Sequence, residues 1–60
     1  MDIDVSRRAG KAMDFIPYGK TMNLTYRNRF IKAVKDAKSF DRLPMDIQED
    51  IIDAEKRMKE

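Results

Sequence analysis

The side chains able to do chemistry in this sequence are lysines, carboxylates, tyrosines and hydroxyls, because its 60 residues include no Cys and no His. Without thiol or imidazole groups, the common metal ligands and the usual acid–base group near neutral pH are missing. The remaining groups would have to act in a chain too short to enclose a deep ligand pocket. We therefore expect no enzymatic activity, no cofactor and no bound metal.

Two short motifs approach known chemical sites, and each lacks a necessary feature. The tripeptide Gly19-Lys20-Thr21 ends like a phosphate-binding loop, but the first glycine of that loop would fall at position 14, which is Asp14. Asp50 and Asp53 are spaced to share a helix face, where neighbouring charges make them a solvated surface pair. Neither motif predicts catalysis.

Charge is divided along the chain, although the net charge is only +2. Residues 1–38 hold nine Lys or Arg against four Asp or Glu, a net +5, whereas residues 39–60 carry a net −3. Basic residues in the middle of the chain are suited to follow a phosphate backbone. These candidate nucleic-acid contacts are Arg27, Arg29, Lys32, Lys35 and Lys38. The favoured alternative is that the basic segment lies beside the acidic one and exchanges surface ion pairs with it, since Tyr26 and Phe30 fall on an apolar stripe.

Apolar residues recur at helical spacing in three segments, which predicts an all-α, compact three-helix domain over residues 1–60. The predicted helices lie near residues 4–16, 23–39 and 44–58. Each contributes one apolar stripe to the expected core. The stripes are Val5, Ala9, Ala12 and Ile16; then Tyr26, Phe30, Ala33, Ala37 and Phe40, with Val34 at the edge; then Ile47, Ile51, Ala54 and Met58.

Gly10 lies in the middle of the first predicted helix, where glycine costs up to about 1 kcal/mol relative to alanine. Asp4 or Ser6 suits the N-cap of this helix, and Pro17 disfavours helical geometry at Ile16 and marks its end. A glycine at such a position indicates either a weak helix or the close approach of another backbone. The sequence leaves both explanations open.

The connector at residues 17–21 contains Pro and Gly, which predict a turn. Three residues are each able to cap the second helix. They are Thr21, Asn23 and Thr25. Pro44 suits the first turn of the third helix, and Leu43 is expected to pack as a staple between the second and third helices.

Some large apolar residues miss the three stripes. Met45 and Ile52 are seven residues apart and share a face roughly 120° from the Ile47 stripe at 3.6 residues per turn. Ile31 is off the stripe of the second helix in the same way. These three residues are a candidate protein interface; alternatively, Met45 and Ile52 pack against the first helix. Association into a homodimer would suit the same residues.

Residues 21–26 alternate between polar and apolar side chains, a pattern typical of a β-strand. Followed by two helices of suitable length, the segment resembles the strand of a ribbon-helix-helix repressor. The resemblance implies a dimer whose paired strands present Thr21, Asn23 and Thr25 to the major groove of DNA. Residues 40–44 replace the Gly and the Ser or Thr cap that usually lead into the second helix of that family.

The sequence therefore predicts a small, non-enzymatic regulatory or inhibitory protein that binds a protein partner through Ile31, Met45 and Ile52. The alternative function is a DNA- or RNA-binding regulator that uses the basic second helix, in the ribbon-helix-helix case as a dimer. No apolar run is long enough to cross a membrane, and the acidic residues 1–4 without a secretory signal favour the cytoplasm. Composition and size are typical of phage, plasmid and bacterial accessory proteins.

Overall fold

The first helix begins one residue earlier than its apolar stripe predicts. In the computed structural model, which describes residues 2–59, α1 spans Ile3–Met13. Its N-cap is Asp2, whose Oδ1 accepts a hydrogen bond from the Val5 backbone N–H at 3.0 Å. The prediction of Asp4 or Ser6 as the cap is wrong, because the Asp2 carboxylate accepts the Val5 N–H in the first turn.

The end of α1 lies three residues before the predicted one. The helix stops at Met13, and Asp14 is its C-cap. Pro17 has no N–H to donate to the carbonyl of Met13, and its ring disfavours helical geometry at Ile16. Ile16 is nevertheless buried, with 5% of its surface exposed, so it joins the core from outside the helix.

The connector at residues 17–21 forms a helical turn where a simple chain reversal was predicted. Helix α2 spans Tyr18–Thr21, and the Pro17 carbonyl accepts hydrogen bonds from the backbone N–H groups of Lys20 and Thr21. No glycine among residues 2–59 has a positive φ, so the chain changes direction with ordinary backbone angles. The described chain thus contains four α-helices where three were expected.

The third helix, α3, spans Leu24–Asp36 and begins at one of the predicted caps. The side-chain oxygen of Asn23 accepts the Tyr26 backbone N–H at 3.1 Å. The ribbon-helix-helix alternative is wrong, because it needs a strand at residues 21–26 and no strand occurs in residues 2–59. Thr21 ends α2 instead, and the segment after Asn23 is the first turn of α3.

The last helix, α4, spans Met45–Met58 and follows Pro44, close to the predicted start. A 3₁₀ turn at Phe40–Arg42 precedes it. The side-chain amide of Gln48 donates to the Leu43 carbonyl at 2.8 Å, which ties this connection to the first turns of α4. Leu43 is itself buried, as its expected packing position requires.

The core lies between α1, α3 and α4, and it is made from the predicted stripes. Its buried residues are Val5, Ala9, Ala12, Ile16, Phe30, Val34, Ala37, Leu43, Ile47, Ile51 and Ala54. Partly buried residues at its edge are Met13, Tyr26, Ala33, Phe40 and Met58. The predicted apolar stripes are therefore confirmed. No helix within residues 2–59 combines the length and the apolar character needed to cross a lipid bilayer.

Candidate protein-interaction site

Many large apolar side chains of residues 2–59 remain exposed outside this core. They are Ile3, Phe15, Tyr18, Met22, Leu24, Ile31, Met45 and Ile52. Isolated exposed apolar residues are normal on protein surfaces, whereas a group of them along one depression marks a candidate binding site. A binding site can therefore lie only where neighbouring helices present several of these side chains along one depression.

A groove of about 350 Å³ runs between α1 and α3. Gly10 and Met13 line its α1 wall, and Ile31 and Lys35 line its α3 wall. Apart from the two neighbouring residues and the backbone of α1 itself, no heavy atom of residues 2–59 lies within 4 Å of the position that a Cβ would occupy on Gly10. Residues 2–59 therefore do not make the close backbone approach that the glycine suggested. We call this depression the α1–α3 groove.

A second depression, of about 590 Å³, lies beside α2 and meets the α1–α3 groove at Met13, which lines both. Tyr18 and Met22 line it and are 76% and 62% exposed. Phe15 and Arg27 complete its rim. Aromatic residues, Met and Arg are the types enriched where proteins contact one another. We call this depression the α2 cleft, and the two together the composite groove.

The Asp50 carboxylate of α4 holds α2 in place beside the cleft. Its Oδ1 accepts a hydrogen bond from the Lys20 Nζ at 2.7 Å, and its Oδ2 accepts one from the Tyr26 hydroxyl at 2.6 Å. Partial burial, followed by this hydrogen bond, raises the pKa of Tyr26 above its usual range. The hydrogen bond to Asp50 likewise raises the pKa of Lys20. Asp50 thus joins α2 and α3 to α4.

Arg8 fixes α1, which forms the other wall of the composite groove. Its guanidinium donates to both carboxylate oxygens of Glu55, at 3.0 and 2.8 Å, and lies 3.9 Å from the ring centroid of Phe40. The hydrogen bond from Arg8 lowers the pKa of the Glu55 carboxyl. A second hydrogen bond joins α4 to the chain just after α1, because Arg57 donates to the Phe15 carbonyl at 2.9 Å.

The structure does not bring the three predicted interface residues together. Ile31 is 42% exposed and lines the α1–α3 groove, which no residue of α4 lines. Met45 and Ile52 are 68% and 39% exposed on the outer face of α4, whereas Ile47 and Ile51 on its inner face are fully buried. Met45 and Ile52 therefore lie outside the core, on a surface separate from Ile31.

The five predicted nucleic-acid contacts do not form one free basic surface. Arg29 donates to both carboxylate oxygens of Asp46, at 2.6 and 2.7 Å, and this hydrogen bonding lowers the pKa of Asp46. Arg27 lines the α2 cleft. The remaining three, Lys32, Lys35 and Lys38, are exposed and form no ion pair within residues 2–59.

All ion pairs within residues 2–59 join a cation of residues 1–38 to a carboxylate of α4. They are Arg8 with Glu55, Lys20 with Asp50, and Arg29 with Asp46. The division of charge along the sequence thus reflects ion pairing between α4 and the three other helices. The sequence interpretation anticipated such pairs for the second predicted helix alone.

Sequence reasoning missed the apolar surface around α2. Phe15, Tyr18, Met22 and Leu24 are all exposed, and the chain between them was interpreted as a turn, a helix cap or, in the ribbon-helix-helix alternative, a strand. A usable signal was present, because four large apolar residues within ten positions belong to no helical stripe.

Comparison of the chain with protein-family models, with curated proteins and with solved structures gave no match. Within residues 2–59, no group of three or more acidic side chains is arranged to hold a metal ion. The geometry of the composite groove is therefore the basis for assigning a function.

Proposed function

We propose that the protein is a non-enzymatic, cytoplasmic regulator or inhibitor that binds an α-helix of a partner protein in the composite groove. The observation that carries this proposal is the open space above Gly10, opposite the exposed side chain of Ile31. A glycine inside a helix costs up to about 1 kcal/mol relative to alanine, and no contact within the described chain uses the space it leaves. A partner helix in the groove would use that space.

The apolar residues of the composite groove supply the contact area for such a helix. Ile31 lies at one end, and Phe15, Tyr18 and Met22 lie toward the other. A helix that binds in a groove typically presents apolar residues three, four and seven positions apart along one face. The exposed aromatic rings and Met22 provide adaptable surface for those anchors.

The charges beside the groove favour an acidic partner helix. Arg27 and Lys35 both project from α3 along the composite groove, and neither forms an ion pair within residues 2–59. Among residues 2–59, Asp14 is the one carboxylate that lines it. A helix with carboxylates along the edge that faces α3 would pair with both cations, which favours docking in one orientation.

A titration with two designed peptides tests this proposal. Both are amphipathic helices with Leu at the same positions; one has Glu on its flanks and the other has Lys. We expect the acidic peptide to bind more tightly, and to shift the backbone amide resonances of groove residues such as Gly10, Ile31 and Arg27. Absence of binding by both peptides, or shifts confined to α4, would contradict the proposal.

Three variants localise the binding. Ile31→Asp and Gly10→Leu should each weaken binding of the acidic peptide at least about tenfold, a loss of roughly 1.4 kcal/mol, because one adds an unfavourable charge and the other fills the groove. The matched control is Ile52→Asp on the outer face of α4, which should bind the peptide unchanged. Helical circular dichroism should be preserved in all three, since each site is exposed.

Nucleic-acid binding is the alternative function, and it can be tested on the same protein. Duplex DNA titrated at several salt concentrations should show little binding if the protein-partner proposal holds. Tight binding that falls steeply with salt, and that is lost in Lys32→Ala and Lys35→Ala, would replace it, because phosphate contacts release counterions.

A further inference from the structure

The outer face of α4 carries a second apolar and charged stripe, separate from the composite groove. Its members are Met45, Glu49, Ile52 and Lys56, spaced at four, three and four residues, and all of them are exposed. At 3.6 residues per turn this spacing keeps them on one side of the helix. Glu49 and Lys56 form no ion pair within residues 2–59. We call these four residues the α4 stripe.

We propose that the α4 stripe binds the α4 stripe of a second copy of the chain, with the two helices antiparallel about a two-fold axis near Ile52. Glu49 and Lys56 lie on opposite sides of Ile52 along the helix, three and four residues away. In an antiparallel pair, Glu49 of each copy therefore faces Lys56 of the other, and this pairing occurs twice. The stripe is complementary to itself.

The parallel arrangement lacks this complementarity. It would bring Glu49 close to Glu49 of the other copy and Lys56 close to Lys56, which is unfavourable. In the antiparallel arrangement the central contact is Ile52 with Ile52, and Met45 lies toward the aliphatic stem of Lys59 from the other copy. The positions of the charges thus select one orientation.

The small size of the chain and of the α4 stripe favours a weak dimer. A chain of 60 residues buries a small core, and pairing of subunits is a common source of additional stability for such chains. Met45 and Ile52 are the two apolar residues that each stripe contributes, which is less than the standard interface between proteins provides. The dimer should therefore form only at high protein concentration and should dissociate on dilution.

Sedimentation equilibrium over a range of concentrations up to about 1 mM tests the proposal, since this limit detects association worth roughly 4 kcal/mol. We expect the average mass to rise from 7.1 kDa toward twice that value. Ile52→Asp should keep the chain monomeric throughout. Ile31→Asp, which alters the α1–α3 groove, should leave the dimer unchanged, so the result does not depend on the proposed partner site.

Exchange of the charges at Glu49 and Lys56 tests the antiparallel orientation of the two copies. Glu49→Lys alone and Lys56→Glu alone should each abolish the dimer, because each places like charges opposite one another. An equimolar mixture of the two variants should restore association, since every contact then joins opposite charges. A wild-type monomer at every concentration would overturn the dimer. Failure of the mixture to associate, or a dimer that persists in Ile52→Asp, would overturn the placement on the α4 stripe.

Discussion

Gly10 shows how a single residue can weaken a helix and shape a surface at the same time. It lies inside α1, and a Cβ built on it meets no heavy atom of residues 2–59 within 4 Å outside its two neighbours and the backbone of its own helix. The lost helix propensity is therefore not offset by any contact within residues 2–59. Arg8, two residues earlier, has the opposite character, because hydrogen bonds to Glu55 and contact with the ring of Phe40 occupy its guanidinium.

Replacing Gly10→Ala should stabilise the protein. We expect the free energy of unfolding to rise by about 0.5–1 kcal/mol, because alanine loses less backbone entropy on folding and meets open space. For a domain of this size, that change corresponds to an increase in Tm of roughly 2–8 °C. Thermal melting followed by circular dichroism measures it. Destabilisation would show that a contact at Gly10 is essential to the fold.

The burial of single residues also shows what a sequence can and cannot predict. The burial of Ile47 and Ile51 follows from helical spacing, because the periodicity of a stripe fixes which side of a helix faces the core. The exposure of Tyr18 and Met22 does not follow from it. A residue outside a stripe can be buried by another element or remain free, and only the packing of α2 decides between these outcomes.

At the scale of elements, α2 is the least secured of the four helices. It has four residues, none of them buried, and the side-chain ion pair from Lys20 to Asp50 connects it to α4. A helix of this length has no stability of its own, since helix nucleation is unfavourable. The α2 cleft therefore depends on that ion pair and on the burial of Ile16 just before the helix.

Lys20→Met should open α2 while the rest of the fold persists. The backbone N–H groups of Thr21 and Met22, which donate to the carbonyls of Pro17 and Tyr18, should exchange with solvent faster than in the wild type. The midpoint of global unfolding should change little, because the Lys20 side chain is about half exposed and Asp50 keeps its hydrogen bond from the Tyr26 hydroxyl. Amide hydrogen exchange followed by NMR measures the first effect and circular dichroism the second.

Lys32→Met is the matched control, because it also removes a lysine charge from an exposed position and disrupts no ion pair within residues 2–59. Its exchange rates at Thr21 and Met22 should equal those of the wild type. Equal protection of α2 in Lys20→Met would mean that apolar packing, and not the ion pair, secures this helix.

The same region shows why secondary structure was harder to predict here than elsewhere. Alternation over residues 21–26 satisfies the pattern of a strand, but a strand needs a partner for its backbone groups. The Asn23 side chain satisfies the N–H of Tyr26 locally, which begins α3 without any second strand. Three long helices were predictable because many residues repeat their period; a single turn such as α2 has too few residues to establish one.

At the scale of the whole molecule, α4 is the element to which the others are attached. Its inner face fills the core, and its carboxylates Asp46, Asp50 and Glu55 pair with cations from α3, α2 and α1 respectively. The outer face of the same helix carries the α4 stripe. One helix therefore organises the fold on one side and remains available for association on the other.

This arrangement predicts how stability depends on pH. Hydrogen bonds from Arg8 and Arg29 hold the pKa values of Glu55 and Asp46 below their ordinary values of 4.5 and 3.8. The unfolded chain therefore binds protons at these groups more readily, so their contribution to stability is complete above about pH 5 and is lost as the pH falls through the lower, folded-state values. We expect the Tm to decrease progressively below about pH 5.

The double variant Arg8→Met/Arg29→Met separates this effect from general acid denaturation. Without the two guanidinium groups, the pKa values of Glu55 and Asp46 should return toward their ordinary values, and the folded and unfolded chains should then bind protons there alike. Its Tm should accordingly be lower than that of the wild type at pH 7 and should decrease less between pH 5 and pH 2, as measured by thermal melting at constant ionic strength. An unchanged decrease would assign the acid sensitivity to carboxylates outside these pairs. Because Arg8 and Arg29 attach α1 and α3 to α4, a flatter profile would show that ion pairs between helices, and not charges within a helix, couple the fold to pH.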